Sequence, residues 1–146
     1  MSYPQAYSAY RDTNIKTASQ GKLIVLPYEE AVRQLSEALK QFNAKGAMDA
    51  PKIEKFNANV RKTQAVITEL QVSLDMEKGG QIAQSLMSLY VYFNNELLDA
   101  NINQNKAKIE FILKMMKELL ESWRTAASST ANAPASDIPS ALNIEG

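Results

Sequence analysis

The groups able to do chemistry in this chain are carboxylates, lysines and tyrosines, because it contains neither cysteine nor histidine. That absence removes disulfides, thiolate nucleophiles, imidazole bases and the usual zinc or copper ligand sets. It also removes the Glu-x-x-His motif of di-iron helical bundles. Carboxylate or lysine catalysis needs acids that converge in a pocket, and the sixteen acidic residues fall mostly on the polar faces of helical stretches. Gly79-Gly80 has neither the spacing of a phosphate-binding loop nor the Lys-Ser/Thr that ends one. The expectation is a protein that is not an enzyme and that carries no cofactor and no metal.

A length of 146 residues suits one domain with a real core and is too short for two. Sixteen Lys and Arg balance sixteen Asp and Glu, and the two signs are interspersed. No basic surplus points to nucleic acid. No apolar run approaches membrane-spanning length, and MSYPQAYSAYRDTN lacks the basic and apolar regions of a signal peptide. A cytoplasmic protein without membrane insertion is expected.

Four helices position these side chains. Ile24, Tyr28, Ala31, Leu35, Leu39 and Phe42 recur at steps of three and four within residues 20–44, one face of a helix. Asp49 then stands where an N-cap belongs, with Pro51 in the first turn. Ile53, Phe56, Val60, Thr63, Ile67, Leu70 and Leu74 form the second stripe. A third helix is expected from about residue 80 to 102 and a fourth from about 105 to 126, with Asn101, Asn103 and Asn105 marking the turn between them. After Ala127 the composition shifts to Ser, Ala, Asn and Pro. Short connections between helices of similar length predict an all-α fold, an antiparallel up-down four-helix bundle. The expected division is an N-terminal cap segment at 1–18, the bundle at 19–127 and a flexible C-terminal tail at 128–146. In LDMEKGGQIAQSL, residues 74–86, the paired glycines read as a tight helical hairpin. One takes the left-handed conformation past a helix end and the other lets the two helix ends approach.

The same stretch carries a resemblance. Leu74-Asp75, Glu77-Lys78-Gly79-Gly80, Ile82-Ala83, Leu86, Leu89-Tyr90 and Tyr92 closely resemble the FliS family of flagellar export chaperones. Upstream, Tyr7, Ala9-Tyr10, Thr17-Ala18-Ser19, Lys22-Leu23-Ile24, Tyr28 and Ala31 are similar to that family's N-terminal segment and first helix. Leu97-Leu98, Ala100-Asn101, the last amphipathic helix and Trp123 also fit, so the resemblance spans roughly residues 3 to 126. It implies a helical bundle that binds the disordered C-terminal segment of newly made flagellin in the cytoplasm, stops it polymerising early and supports its export. Export-apparatus components are a second partner class implied. The free protein is expected to be a monomer or weak homodimer. The resemblance further implies that flagellin lies along apolar grooves outside the bundle, partly covered by the N-terminal segment until the client arrives.

The residues themselves ask for something on that exterior. At about 100° per residue, Ile82, Leu86, Leu89, Tyr90, Phe93 and Leu97 make a core stripe on the third helix. Met87, Val91, Leu98 and Ile102 gather on roughly the opposite face. Such a helix is either central, with neighbours on both sides, or it shows an apolar strip to a partner. A terminal segment or a second copy covering the strip is the competing reading, which makes a self-associating structural or adaptor protein the alternative function. In the last helix, Ile109, Ile112, Leu113, Met115, Met116, Leu119, Leu120 and Trp123 span about 160°, and Phe111 lies outside that arc.

The start of the first helix departs from the family. FliS sequences usually carry Ser-Pro there and an apolar residue before the tyrosine, whereas here Gln20-Gly21 comes after Ser19 and Pro27 precedes Tyr28. Either the helix begins near Ser19 and is disturbed at residues 23 to 27, or it begins at Pro27 with Glu29 and Glu30 near its positive end. Leu23 and Leu26 fall off the core stripe and are candidate partner contacts. Tyr7 and Tyr10 share one side of a helical turn and, with Ile15, are candidate contacts as parts of a detachable lid. Ile138, Leu142 and Ile144 in the tail read as a linker or as a self-occluding peptide.

Overall fold

The computed structural model describes residues 9–10 and 18–132, with side chains described for 9–10 and 23–128. Four helices occupy that range: α1 at Ala18–Leu39, α2 at Ala50–Ser73, α3 at Gly80–Asn103 and α4 at Lys106–Asn132. They form the expected all-α bundle. α1 packs against α2 and most extensively against α4, α2 packs on α3, and α3 meets α4 least. That order closes a ring around one core.

The core obeys the spacing of the sequence. On α3 the buried side chains are Ala83, Leu86, Tyr90, Phe93, Leu97 and Ala100, alternating steps of three and four. This repeat keeps one seam facing its neighbours along a helix of 3.6 residues per turn. On α2 the buried set is Phe56, Asn59, Val60, Thr63, Ile67 and Leu70. Tyr28, Leu35, Ile109, Ile112 and Met116 complete the fully buried centre from α1 and α4. Each such side chain contributes about 1.5–3 kcal/mol of burial before the entropy of ordering. Two polar residues cross the α1–α2 seam, where Asn59 Nδ2 donates to Gln34 Oε1 at 3.0 Å. The Arg124–Glu29 ion pair at 2.8 Å joins α4 to α1 at the surface.

The helix ends refine the sequence reading. α1 starts at Ala18 and runs through Pro27, so the helix does not begin at the proline. It stops at Leu39, short of residue 44, yet Phe42 still packs edge-on against Phe56 at 5.3 Å. The α1–α2 loop is organised by Asn43, whose Oδ1 accepts from the backbone N–H groups of Lys45 and Ala47. Asp49 is at the N-cap with Pro51 behind it, but makes no side-chain capping bond. Its carboxylate instead accepts from Asn43 Nδ2 at 3.3 Å. At the α3–α4 turn Asn105 Oδ1 caps the Lys108 N–H at 3.1 Å. The left-handed residue there is Gln104, at φ 46°, rather than an asparagine. α4 extends to Asn132, beyond the expected end near 126, with Ala126 buried; Pro134, unable to donate a helix hydrogen bond, lies two residues further on.

The glycine pair has a different division of labour from the one expected. α2 already ends at Ser73, and Asp75 turns the chain by accepting the Glu77 and Lys78 N–H groups on Oδ1. Gly80 takes the left-handed conformation at φ 53°. Gly79 is in ordinary helical space but admits a neighbour: a Cβ there would lie 2.6 Å from Ala9 Cα and 2.5 Å from Ala83 Cβ. The close approach is made by the N-terminal segment as well as by the start of α3.

Candidate partner-binding surface

Two regions define the candidate surface. The first is where the N-terminal segment docks. Ala9 and Tyr10 lie against the α2–α3 turn, with the Ala9 carbonyl accepting from the Asp75 N–H at 2.5 Å and Tyr10 forming an antiparallel bridge with Leu74. The Tyr10 ring enters the core between helices, edge-on to Trp123 at a centroid distance of 5.8 Å. Its hydroxyl is hydrogen-bonded to Tyr90, which is also bonded to Tyr28 at 2.5 Å. Three phenols from the N-terminal segment, α1 and α3 therefore share one buried chain of hydroxyls. Burial raises the pKa of all three above the ordinary phenol value, because a phenolate there would lose its water. For Tyr28 that effect is opposed by hydrogen bonds with Tyr90, Trp123 and Tyr10. The cluster holds a segment in place and has no base to activate.

The second region is the outer face of α3. Met87 is half-buried and packs partly on the core, with Gln71 Nε2 at 3.5 Å from its sulfur. Asn94 donates to Thr68 Oγ1 at 3.3 Å and to Gln71 Oε1 at 3.2 Å. These bonds mark a polar seam between α2 and α3. One helical step outward of that seam, Val91, Leu98 and Ile102 are 43%, 53% and 66% exposed. Val91, Leu98 and Ile102 of the second stripe are thus left exposed, whereas Met87 of the same stripe is half-buried against the core. Val72 on α2 is also exposed, at 64%. Leu23 and Leu26 stand outward on α1, also exposed.

The expected site residues therefore separate by environment. Val91, Leu98, Ile102, Leu23 and Leu26 face solvent, Met87 lines the seam, and Tyr10 is buried. Tyr7 and Ile15 lie outside the described residues. Val72, Met76 and Tyr92 are exposed apolar residues that were not among the expected contacts, while Phe111 is exposed as its place off the arc implied. Val72 was legible, since it sits about 200° from Leu70 on the helical wheel. The phenol chain was not, because its members are 62 and 80 positions apart.

The α3–α4 junction is electrostatic. Lys108 bridges Asp99 at 2.8 Å and Glu96 at 3.3 Å. Its hydrogen bond holds the Asp99 carboxyl below the usual carboxylate range. No group of acidic, His or Cys residues among the described residues has the arrangement to hold a metal ion. No helix among them is long and apolar enough to cross a membrane.

Among the described residues the bundle presents an apolar exterior, the kind of surface a binding protein offers. A family model described as flagellar protein FliS matches residues 3–130, and the chain belongs to the FliS family. It is 35% identical over 119 residues to the flagellar secretion chaperone FliS of Campylobacter jejuni, covering 82% of this chain and 88% of that protein. It is 23% identical over 129 residues to the Bacillus subtilis flagellar secretion chaperone FliS, at 88% and 91% coverage. The Vibrio cholerae flagellar secretion chaperone FliS is 24% identical over 135 residues, at 92% and 95%. The protein serves flagellar assembly and export as a chaperone and is not an enzyme.

Proposed function

We propose that this chaperone binds the disordered C-terminal segment of flagellin in the cytoplasm, prevents its premature polymerisation and supports its delivery to export-apparatus components. The observation that carries the reading is the outward stripe of Val91, Leu98 and Ile102 beside the α2–α3 seam, on a chain of this family. A disordered client gains enough from burying a few apolar anchors to offset its ordering. Each fully buried aliphatic anchor is worth about 1.5–3 kcal/mol, so a handful supports submicromolar affinity. Leu23 and Leu26 offer further contacts on α1. Ala9 and Tyr10, docked by one backbone bond and one shared hydroxyl chain, act as the displaceable end of a lid. A lid closed for most of the time lowers apparent client affinity by the open fraction.

The test is calorimetric titration of a synthetic peptide from the flagellin C-terminus into the full chain and into Val91→Asp and Ile102→Asp. These two positions are exposed, so the variants keep their helical circular dichroism. Each is expected to weaken binding by tenfold or more. Met87→Asp also disturbs the core and is less informative. Unchanged affinity in both exposed variants would remove the α3 face as the client seat. Light scattering distinguishes the self-associating adaptor: a client-free protein that is a stable oligomer, dissociated by Val91→Asp, favours that alternative over a one-to-one complex.

A further inference from the structure

The amides between α2 and α3 repeat at strict sevens. Gln64 Nε2 donates to the Asn94 carbonyl at 3.4 Å, and Gln71 Nε2 lies 3.5 Å from the Met87 sulfur. Seven positions forward on α2 therefore match seven back on α3, and Asn57 and Asn101 continue both series by one step. Asn94 Nδ2 ties the middle level further, to Thr68 Oγ1 and Gln71 Oε1. A seven-residue repeat keeps to one edge of a helix. Replacing both partners of such a bond by apolar groups is nearly neutral or stabilising. Asn94 Oδ1 and Asn101 Oδ1 are, moreover, buried with no hydrogen-bond partner among the described residues, which costs stability. Amides held between helices at such a cost can specify one arrangement over its competitors.

The competing arrangement is visible on α3 itself. At about 100° per residue, Val91 and Leu98 stand about 40–60° outward of Asn94, whereas the buried Tyr90, Phe93 and Leu97 stand on its inner side. Burial of apolar surface has no direction of its own. A roll of α3 by about 50° would bring Val91 and Leu98 to α2 and remove the exposed stripe. The same roll drives the Asn94 amide off Thr68 and Gln71 and in among apolar side chains, at the full cost of an unmade hydrogen bond.

We propose that Gln71 and Asn94 are positioning residues, whose paired amides hold α3 at the one rotation that keeps Val91 and Leu98 outside. They serve the client surface by orienting it and need not touch the client. That service rests on the flagellin reading, but the rotation itself is tested without any client.

The test is Gln71→Leu combined with Asn94→Leu, which turns the middle level into an apolar pair. Methyl resonances of the full chain are recorded with a neutral gadolinium chelate in solution. Val91, Leu98 and, on α1, Leu26 are exposed and broaden in the wild-type chain. In the double variant the broadening of Val91 and Leu98 should fall several-fold while that of Leu26 is unchanged. Asn94→Gln, which keeps an amide at this level, should retain the wild-type pattern. A merely structural seam would lower the urea midpoint and leave both methyls exposed, whereas here the midpoint should hold or rise. Affinity for the flagellin C-terminal peptide should fall by about tenfold in the double variant. The proposal is overturned if the folded double variant keeps Val91 and Leu98 as broadened as in wild type. Failure of that variant to fold also overturns it, since an apolar seam would then hold α3 in no rotation. A wild-type chain that binds no peptide removes the flagellin reading and leaves the methyl result to decide the rotation.

Discussion

Replacing Gly79 and, separately, Gly80 by alanine distinguishes two reasons for placing glycines side by side. At Gly79 the added Cβ meets Ala83 Cβ at 2.5 Å, Ala9 Cα at 2.6 Å and Asp75 O at 2.8 Å, against an ordinary carbon–carbon contact of about 3.5–4.0 Å. Ala83 is fixed in α3, so the yielding neighbour is Ala9. Undocking it gives up the Ala9–Asp75 hydrogen bond, about 0.5–1.5 kcal/mol, and Tyr10 burial, about 1.5–3 kcal/mol by analogy with other large side chains. Freeing two residues returns about 2–4 kcal/mol of backbone entropy. The two sets of terms nearly cancel, so the net docking energy is at most about 2.5 kcal/mol, and it caps the stability that Gly79→Ala can lose by this route. Gly80→Ala has open space around its Cβ but a φ of 53°, which costs an L-residue about 1–2 kcal/mol. Of the two variants, urea denaturation should find the larger loss in Gly79→Ala, because the contacts with Ala83 Cβ and Asp75 O persist after Ala9 leaves. Trypsin cleavage after Arg11 should separate them, rising about fivefold or more in Gly79→Ala and staying near wild type in Gly80→Ala, since 1.4 kcal/mol is a factor of ten. Equal cleavage rates in the two variants would refute the assignment of Gly79 to the N-terminal contact.

Tyr10, Tyr28 and Tyr90 have folded-state pKa values above the unfolded value of about 10; below that pH their contribution is intact, and above it the unfolded chain loses protons first. Stability should then fall with a slope approaching about 1.4 kcal/mol per pH unit per buried phenol, and chemical denaturation from pH 9 to 11 should show a shallower fall in Tyr10→Phe. Asn105→Ala removes the N-cap of α4 and should cost about 1 kcal/mol, measured by thermal or urea unfolding. Arg124→Ala breaks an exposed ion pair and should change stability by less than about 1 kcal/mol; a larger loss in a double-mutant cycle with Glu29→Ala would show that the pair fixes the α1–α4 register.

The repeat of apolar residues at three and four was enough to specify four helices and their buried faces, because burial of a helix stripe depends on its own wheel whatever the neighbour. The missing histidines and cysteines likewise excluded most catalytic chemistry from composition alone. The outward set Val91, Leu98 and Ile102 was also legible, since a bundle helix needs one buried stripe and α3 has two. Tertiary packing decided what that logic does not reach. Tyr10 is in a polar N-terminal stretch, yet its ring is buried because α1, α3 and α4 leave room for it between Tyr28, Tyr90 and Trp123. The need for Gly79 arises partly within the turn, from Ala83 and Asp75, and partly from Ala9, seventy positions away, which nothing local to the turn encodes. Pro27 remained inside α1 because packing of Ile24, Val25 and Tyr28 on the core outweighs the missing hydrogen bond. Period is a property of neighbouring residues and survives in any fold. Convergence of distant side chains depends on helix order and register, which exist only once the bundle has closed.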